Sequence, residues 1–153
     1  MCPKFSRNDD QPIEYTFATM ITIHTDIAKP IQEVWDKWTQ PTHIMNWNYA
    51  GDDWHCPASE ADLQEGGRFT HTMAARDGSF SFDFSGTYNV VKSLAEIRVI
   101  LDDQRGWITT FEETPQGTRV TESFDPESMN PEDMQRAGWQ MILDRFKGYV
   151  EAS

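Results

Sequence analysis

NPEDMQRAGWQMILDRFKGYV (Asn130–Val150) is a long helical stretch closing a chain whose preceding residues read mostly as strands. Asn130 is a favoured N-cap, Pro131 suits the first helical position, and Glu132 and Asp133 meet the positive end of the helix dipole. Met134, Trp139, Met141, Ile142, Leu143, Phe146, Tyr149 and Val150 form an apolar stripe broader than a surface helix needs. Gly138, in the middle, costs about 1 kcal/mol relative to Ala. It marks a place where the backbone approaches something closely or where space is left open. One long helix against a curved, aromatic-faced sheet suggests a container with the helix as its lid.

Working outward, the sheet is read from alternation. Phe80, Phe82, Phe84, Gly86, Tyr88 and Val90 share one face of a long strand, with Ser79, Ser81, Asp83, Ser85 and Thr87 on the other. Asp77-Gly78 is a hairpin signal that joins it to Arg68–Ala75, where Phe69, His71 and Met73 share a face. Ile97–Leu101, Trp107–Glu112 and Thr118–Phe124 follow as strands, and Ala58–Leu63 precedes them, ending at the Glu65-Gly66-Gly67 turn. A first strand spans Tyr15–Thr25, irregular near residues 18–20. Between it and a loop carrying Gly51, Asp52, Asp53, Trp54 and Pro57 lie two short helices. Pro30 opens one at its first position, with Ile31, Val34, Trp35 and Trp38 on one face. Thr39 caps the other, with Pro41 just inside and Ile44, Met45 and Trp47 following. The fold class is α+β: a seven-stranded, curved antiparallel sheet around a long C-terminal helix, with two short helices after strand 1. Residues 1–14 read as a flexible tail and residues 15–153 as a single domain.

The 153 residues carry a net charge of −12, with nine Phe, six Trp and four Tyr. That charge disfavours nucleic acid and anionic membranes, both of which need Lys and Arg. No apolar run approaches a membrane span of roughly 20 residues, and the first residues lack a signal core. A cytoplasmic location is expected, with Cys2 and Cys56 as reduced thiols.

Phe69, Met73, Phe80, Phe82, Phe84, Tyr88, Phe124 and Trp139 are candidates to line a cavity, joined by Trp47, Trp54 and Leu143. The same residues would also serve simply to fill a core. Asp83 between Phe82 and Phe84 argues that those two rings face inward. Glu122 shares strand parity with Val120 and Phe124, which turns its carboxyl inward, where burial would raise its pKa. His71 has inward parity with Phe69 and Met73, and Thr109 offers a hydroxyl from between Trp107 and Phe111. Glu122 and His71 are expected to mark the polar end of the pocket; a structural partner for Glu122, Arg68 or Arg98, or a bulge that turns Glu122 outward, is the competing reading. His24, His43, His55 and His71 are scattered, so no metal site is expected. No nucleophile–base arrangement and no phosphate-binding glycine loop is found, so neither catalytic residues nor a cofactor are assigned.

The ordered set Pro30-Ile-Gln-Glu-Val-Trp35, Trp47-Asn48, Asp52-Asp53-Trp54, Asp62-Leu63, Gly66-Gly67-Arg68-Phe69, Asp77-Gly78-Ser79, Phe82–Tyr88, Thr118–Glu122 and Gly138–Leu143 covers roughly residues 18–151. It resembles the START-like (SRPBCC, Bet v 1-like) superfamily, and within it the branch similar to the C-terminal domain of the activator of heat-shock protein 90 ATPase. The resemblance implies a helix-grip fold with a deep, apolar cavity between sheet and long helix. It also implies binding of a small hydrophobic ligand without established catalysis. A cyclase or hydrolase using Glu122 with His71, or an interaction module related to chaperone activation, are the other readings. Relatives often pair, so a homodimer is a further expectation, with Trp38, Trp47 or Trp54 as its apolar patch if exposed.

Overall fold

A computed structural model describes residues 19–153. The expected tail, the stretch 15–18 of the expected first strand, and Cys2 lie outside the described residues. The elements run β1 (Ile21–Ile27), α1 (Ile31–Thr39), α2 (Pro41–Ile44), β2 (Trp54–Ala61), β3 (Arg68–Ala75), β4 (Ser81–Lys92), β5 (Glu96–Leu101), β6 (Gly106–Thr114), β7 (Gly117–Phe124) and α3 (Glu132–Glu151). All neighbours pair antiparallel in one seven-stranded sheet of order β1-β7-β6-β5-β4-β3-β2. The fold class read from alternation and hairpin spacing is the one observed.

The hairpins follow their turn chemistry. Gly78, with φ +79°, takes the left-handed conformation that the β3–β4 turn requires, and Asp77 Oδ1 accepts the Ser79 N–H at 2.8 Å. Gly86 has another reason to be glycine. A Cβ there would sit 2.7 Å from the Ile100 carbonyl oxygen and 3.1 Å from the Phe69 ring, which occupies that space.

Two irregularities shift the expected parity. A register shift between Tyr88 and Val90 puts Val91, rather than Val90, against the core. Another between His55 and Ala58 lets β2 begin at Trp54, so the segment 54–57 expected as loop is strand, with Pro57 on the outer edge where no ladder donor is needed.

The helix starts also differ from expectation. Pro30 and Pro131 sit at the N-cap positions, extended with ψ of 152° and 146°, rather than inside the helices. Asn130 does not cap α3: its side-chain amide donates to Glu127 Oε2 at 2.7 Å. The first turn is held instead by Gln135, whose Nε2 donates to the Asn130 and Glu127 carbonyls at 2.7 and 2.9 Å while its Oε1 accepts the Glu127 N–H. Thr39 belongs to α1, its hydroxyl donating back to the Trp35 carbonyl; Gln40 precedes Pro41 at the start of α2. Met134 and Met141 point outward, so the stripe on α3 is narrower than the composition suggested.

The helix α3 lies along the edge strand β1 and closes its free side. Arg136 donates to the Thr22 carbonyl at 2.9 Å, Gln140 to that of His24 at 3.4 Å, and Lys147 to that of Asp26, while Glu151 Oε2 accepts the Ala28 N–H at 2.9 Å. An edge strand with its outward carbonyls occupied cannot recruit another strand.

The dense core sits under the C-terminal half of α3. Leu143, Phe146 and Val150 are fully buried there. Phe146 meets Trp38 and Trp47 edge-on at 4.9 and 4.7 Å, and those two indoles stack at 4.9 Å. Trp38 and Trp47 are therefore interior residues and supply no exposed patch for dimerisation; Trp54 is half-buried.

Candidate functional site: a cavity under the first half of the long helix

Toward the N-terminus of α3 the packing opens into a cavity of about 300 Å³ between the helix, the sheet and the α1–α2 segment. Of the residues expected to line it, Trp47, Phe69, His71, Met73, Phe82, Phe84, Tyr88, Glu122 and Trp139 do so. Trp54, Phe124 and Leu143 do not. Leu143 is fully buried in the dense core, and Trp54 stands edge-on to Phe80 and Phe82, which are 60% and 45% exposed. Phe82 is thus a residue of the rim rather than the inward ring that strand parity suggested. Phe80 is outside the cavity, beyond the end of the β4 ladder.

The cavity is shaped by an aromatic lattice. Trp139 lies flat on the buried Phe124, 3.8 Å apart with the planes 8° from parallel. So Phe124 acts from behind, fixing the ring that does line the space. Trp107 stands perpendicular to Trp139 at 5.5 Å and meets Phe84 at 5.8 Å and Phe69 at 6.2 Å. These separations are those of offset and edge-to-face pairs, which rigidify one another. Gly138, one residue before Trp139, has nothing within 4 Å of where a Cβ would stand. It marks open space and not a close approach.

Glu122 is 3% exposed and sits opposite Thr109 on β6 and Ile23 on β1. Its Oε2 accepts the Trp107 indole N–H at 2.9 Å. Neither Arg68 nor Arg98 reaches it: Arg68 pairs with Asp102 and Arg98 with Glu96. Among the described residues Oε1 has no partner, and since no fully buried side-chain polar atom is left unpaired, it opens on the cavity. Burial pushes the carboxyl up to about 8, against the smaller opposing effect of the Trp107 hydrogen bond. His71, four strands away on β3, bonds Ser59 Oγ through Nδ1 at 2.9 Å, and burial pushes it down to about 4. At neutral pH both groups are uncharged. They share no hydrogen bond, and Tyr88, pushed up to about 12 by burial and by the Asp62 charge, is neutral as well.

Trp107 is the residue that sequence reasoning left out of the site. Its parity with Thr109 and Phe111 was the available signal, but its bond to Glu122 is diagonal across the sheet. Trp107 stands opposite Phe124, not Glu122. Arg105, Glu127 and Gln135, which also border the cavity, come from the β5–β6 turn, the loop after β7 and the first turn of α3, without a shared periodicity. Cys56 is a buried free thiol, pushed up to about 11 by burial. Among the described residues no three His, Cys, Asp or Glu gather at a metal-binding spacing, and no helix is long and apolar enough to cross a membrane.

Residues 28–151 match the family model described as activator of Hsp90 ATPase homolog 1-like protein. The chain belongs to that family. Its fold is close to the solution structure of an AHSA1-like protein from Aeromonas hydrophila, with a TM-score of 0.83 and 46% identity over 87% of this chain and 92% of the other. A Cytophaga hutchinsonii protein is likewise similar, with a TM-score of 0.77 and 46% identity over 88% and 93%. A Nitrosomonas europaea protein shares the fold alone, with a TM-score of 0.77 at 18% identity over 88% and 95%. No curated protein matches the chain. Membership of the AHSA1-like family accounts for the helix-grip arrangement.

Proposed function

We propose that the chain binds a small, largely apolar molecule in the cavity under α3 and performs no chemistry on it. The observation that supports this most is the coexistence of an unfilled space of about 300 Å³ with polar atoms aimed into it. Packed interiors rarely leave such voids, and an empty apolar cavity costs stability in proportion to its volume. The size lies at the lower end of small-ligand pockets, and a few polar groups in an aromatic lining are what such pockets use to orient a ligand.

Catalysis is the weaker reading. Glu122 and His71 are both neutral and not in contact, and a thiol such as Cys56, raised and buried, is a poor nucleophile. Calorimetric titration with fatty acids, sterols, aromatic polyketides and aromatic amines tests the proposal. One-to-one binding by at least one class is expected, abolished by a bulky substitution of a lining residue such as Thr109→Trp. Absence of binding across the panel refutes it. The family's description favours stimulation of a chaperone ATPase as a second reading, which is separated by measuring the cognate chaperone's ATPase rate with and without the protein.

A further inference from the structure

The cavity's polar groups are arranged asymmetrically with respect to charge, and this narrows the class of ligand. Glu122 is a carboxyl with one oxygen satisfied by a neutral indole donor and the other open to the cavity. Among the described residues no basic side chain stands beside it. Across the sheet its neighbours are Thr109 and Ile23, and α3 presents Gln135, Trp139 and Ile142 to the cavity. Among the described residues the one positively charged side chain on the lining, Arg105, is paired with Asp103 at 2.7 Å and lies near Glu127. Rings of Trp107, Trp139, Phe69 and Phe84 supply π faces, whose negative potential attracts cations. The chain as a whole carries −12. An anionic ligand would meet a carboxyl and, among the described residues, no free cation. A cationic one would meet a carboxyl able to ionise against it, a ring lattice and an attractive long-range field.

We propose that the cavity takes an organic cation, a protonated amine or quaternary ammonium on an aromatic or aliphatic body, with its nitrogen at Glu122 Oε1 among the surrounding rings. This rests on the reading of the cavity as a ligand site. In the free protein Glu122 is protonated at neutral pH; on binding, its proton leaves to solvent and the carboxylate pairs with the ammonium. The titratable and charged groups around the cavity are His71 on β3, Tyr88 on β4, Arg105 in the β5–β6 turn and Glu127 after β7; α1, α2 and α3 contribute none to the lining. His71 and Tyr88 stay neutral and Glu127 stays charged from pH 6 to 8. The pH response in that range therefore belongs to Glu122.

The experiment compares 1-naphthylmethylamine, 1-naphthalenemethanol and 1-naphthoic acid, which share one ring system and differ in the polar group. Titration calorimetry on the full chain at pH 7 is expected to show the amine binding at least tenfold tighter than the alcohol or the acid. Close to one proton should be released per amine, read from buffers of different ionisation enthalpy. The amine's affinity should rise between pH 6 and pH 8, at most tenfold per unit. Glu122→Gln keeps an acceptor for Trp107 and is expected to erase the amine's advantage over the alcohol. Equal binding of amine and alcohol, or preference for the acid, overturns the cation assignment and leaves the cavity reading standing. Absence of binding by all three in wild-type protein overturns the assignment and counts against the cavity reading too.

Discussion

The two halves of α3 perform different work in the same helix. Residues 143–150 bury Leu143, Phe146 and Val150 completely, against Trp38, Trp47 and the edge of the sheet. Residues 134–142 carry an outward Met134, an uncrowded Gly138, a half-buried Trp139 and a half-buried Ile142 over a void. The difference teaches where stability and binding separate. The second half anchors the helix to the fold, and because it is anchored there, the first half can cover a space that it does not fill. Stability should therefore be lost in the second half and ligand affinity in the first.

The sharpest way to break that division is Phe146→Ala. Removing a fully buried ring that two indoles contact is expected to cost about 3–5 kcal/mol in urea unfolding, without a specific effect on ligand selectivity. A loss below about 1 kcal/mol would mean that the second half is not the anchor. Next comes Glu122→Gln. The carboxyl's pKa is raised from an ordinary 4.5 to about 8 by folding. The folded state therefore holds its proton where the unfolded state has released it, and Glu122 makes the protein less stable as pH rises from about 4.5 to 8. The Gln variant should be more stable than wild type by a few kcal/mol at pH 8, with the difference vanishing toward pH 4.5. His71 acts oppositely. Its pKa is lowered to about 4, so its contribution is lost as pH falls from 6.5 to 4. His71→Gln should flatten that limb in thermal melts recorded across the range.

Trp139→Ala should cost less stability than Phe146→Ala, about 1–3 kcal/mol, because Trp139 is only partly covered and loses one stacked partner. Its larger effect should be on ligand affinity, by tenfold or more in the same calorimetric assay. The smallest effect is expected from Gly138→Ala. With open space around the added methyl, helix propensity alone should raise stability by up to about 1 kcal/mol. Destabilisation would show that the backbone there touches something.

Much of this fold was legible because antiparallel hairpins write their pattern locally. Asp77-Gly78 and the alternation from Phe82 to Tyr88 placed β3 and β4 before any coordinates. What was not legible depends on one-residue shifts or on distant partners. The irregularity after Tyr88 exchanges Val90 for Val91, and nothing in the local residues marks it. Phe82 kept its parity but ran past the end of the covered sheet, where parity no longer implies burial. At the site, inward parity identified Glu122 and His71 as lining residues. It was silent on Trp107 as the partner of Glu122, because a diagonal contact between strands is set by register, which hairpin loops and bulges fix jointly. Gln135 was invisible for a similar reason: its four hydrogen bonds go to a loop whose course follows from tertiary packing.

The contrast between the two halves of α3 can be read in a single titration. In amide and indole N–H spectra of the labelled protein, a ligand that binds should move the Trp107 indole signal together with the amides of His71, Thr109, Glu122 and Trp139. The amides of Leu143, Phe146 and Val150 should stay in place. Shifts centred on the second half of the helix, or an unmoved Trp107 indole with every compound tested, would contradict the reading of this cavity as a binding site.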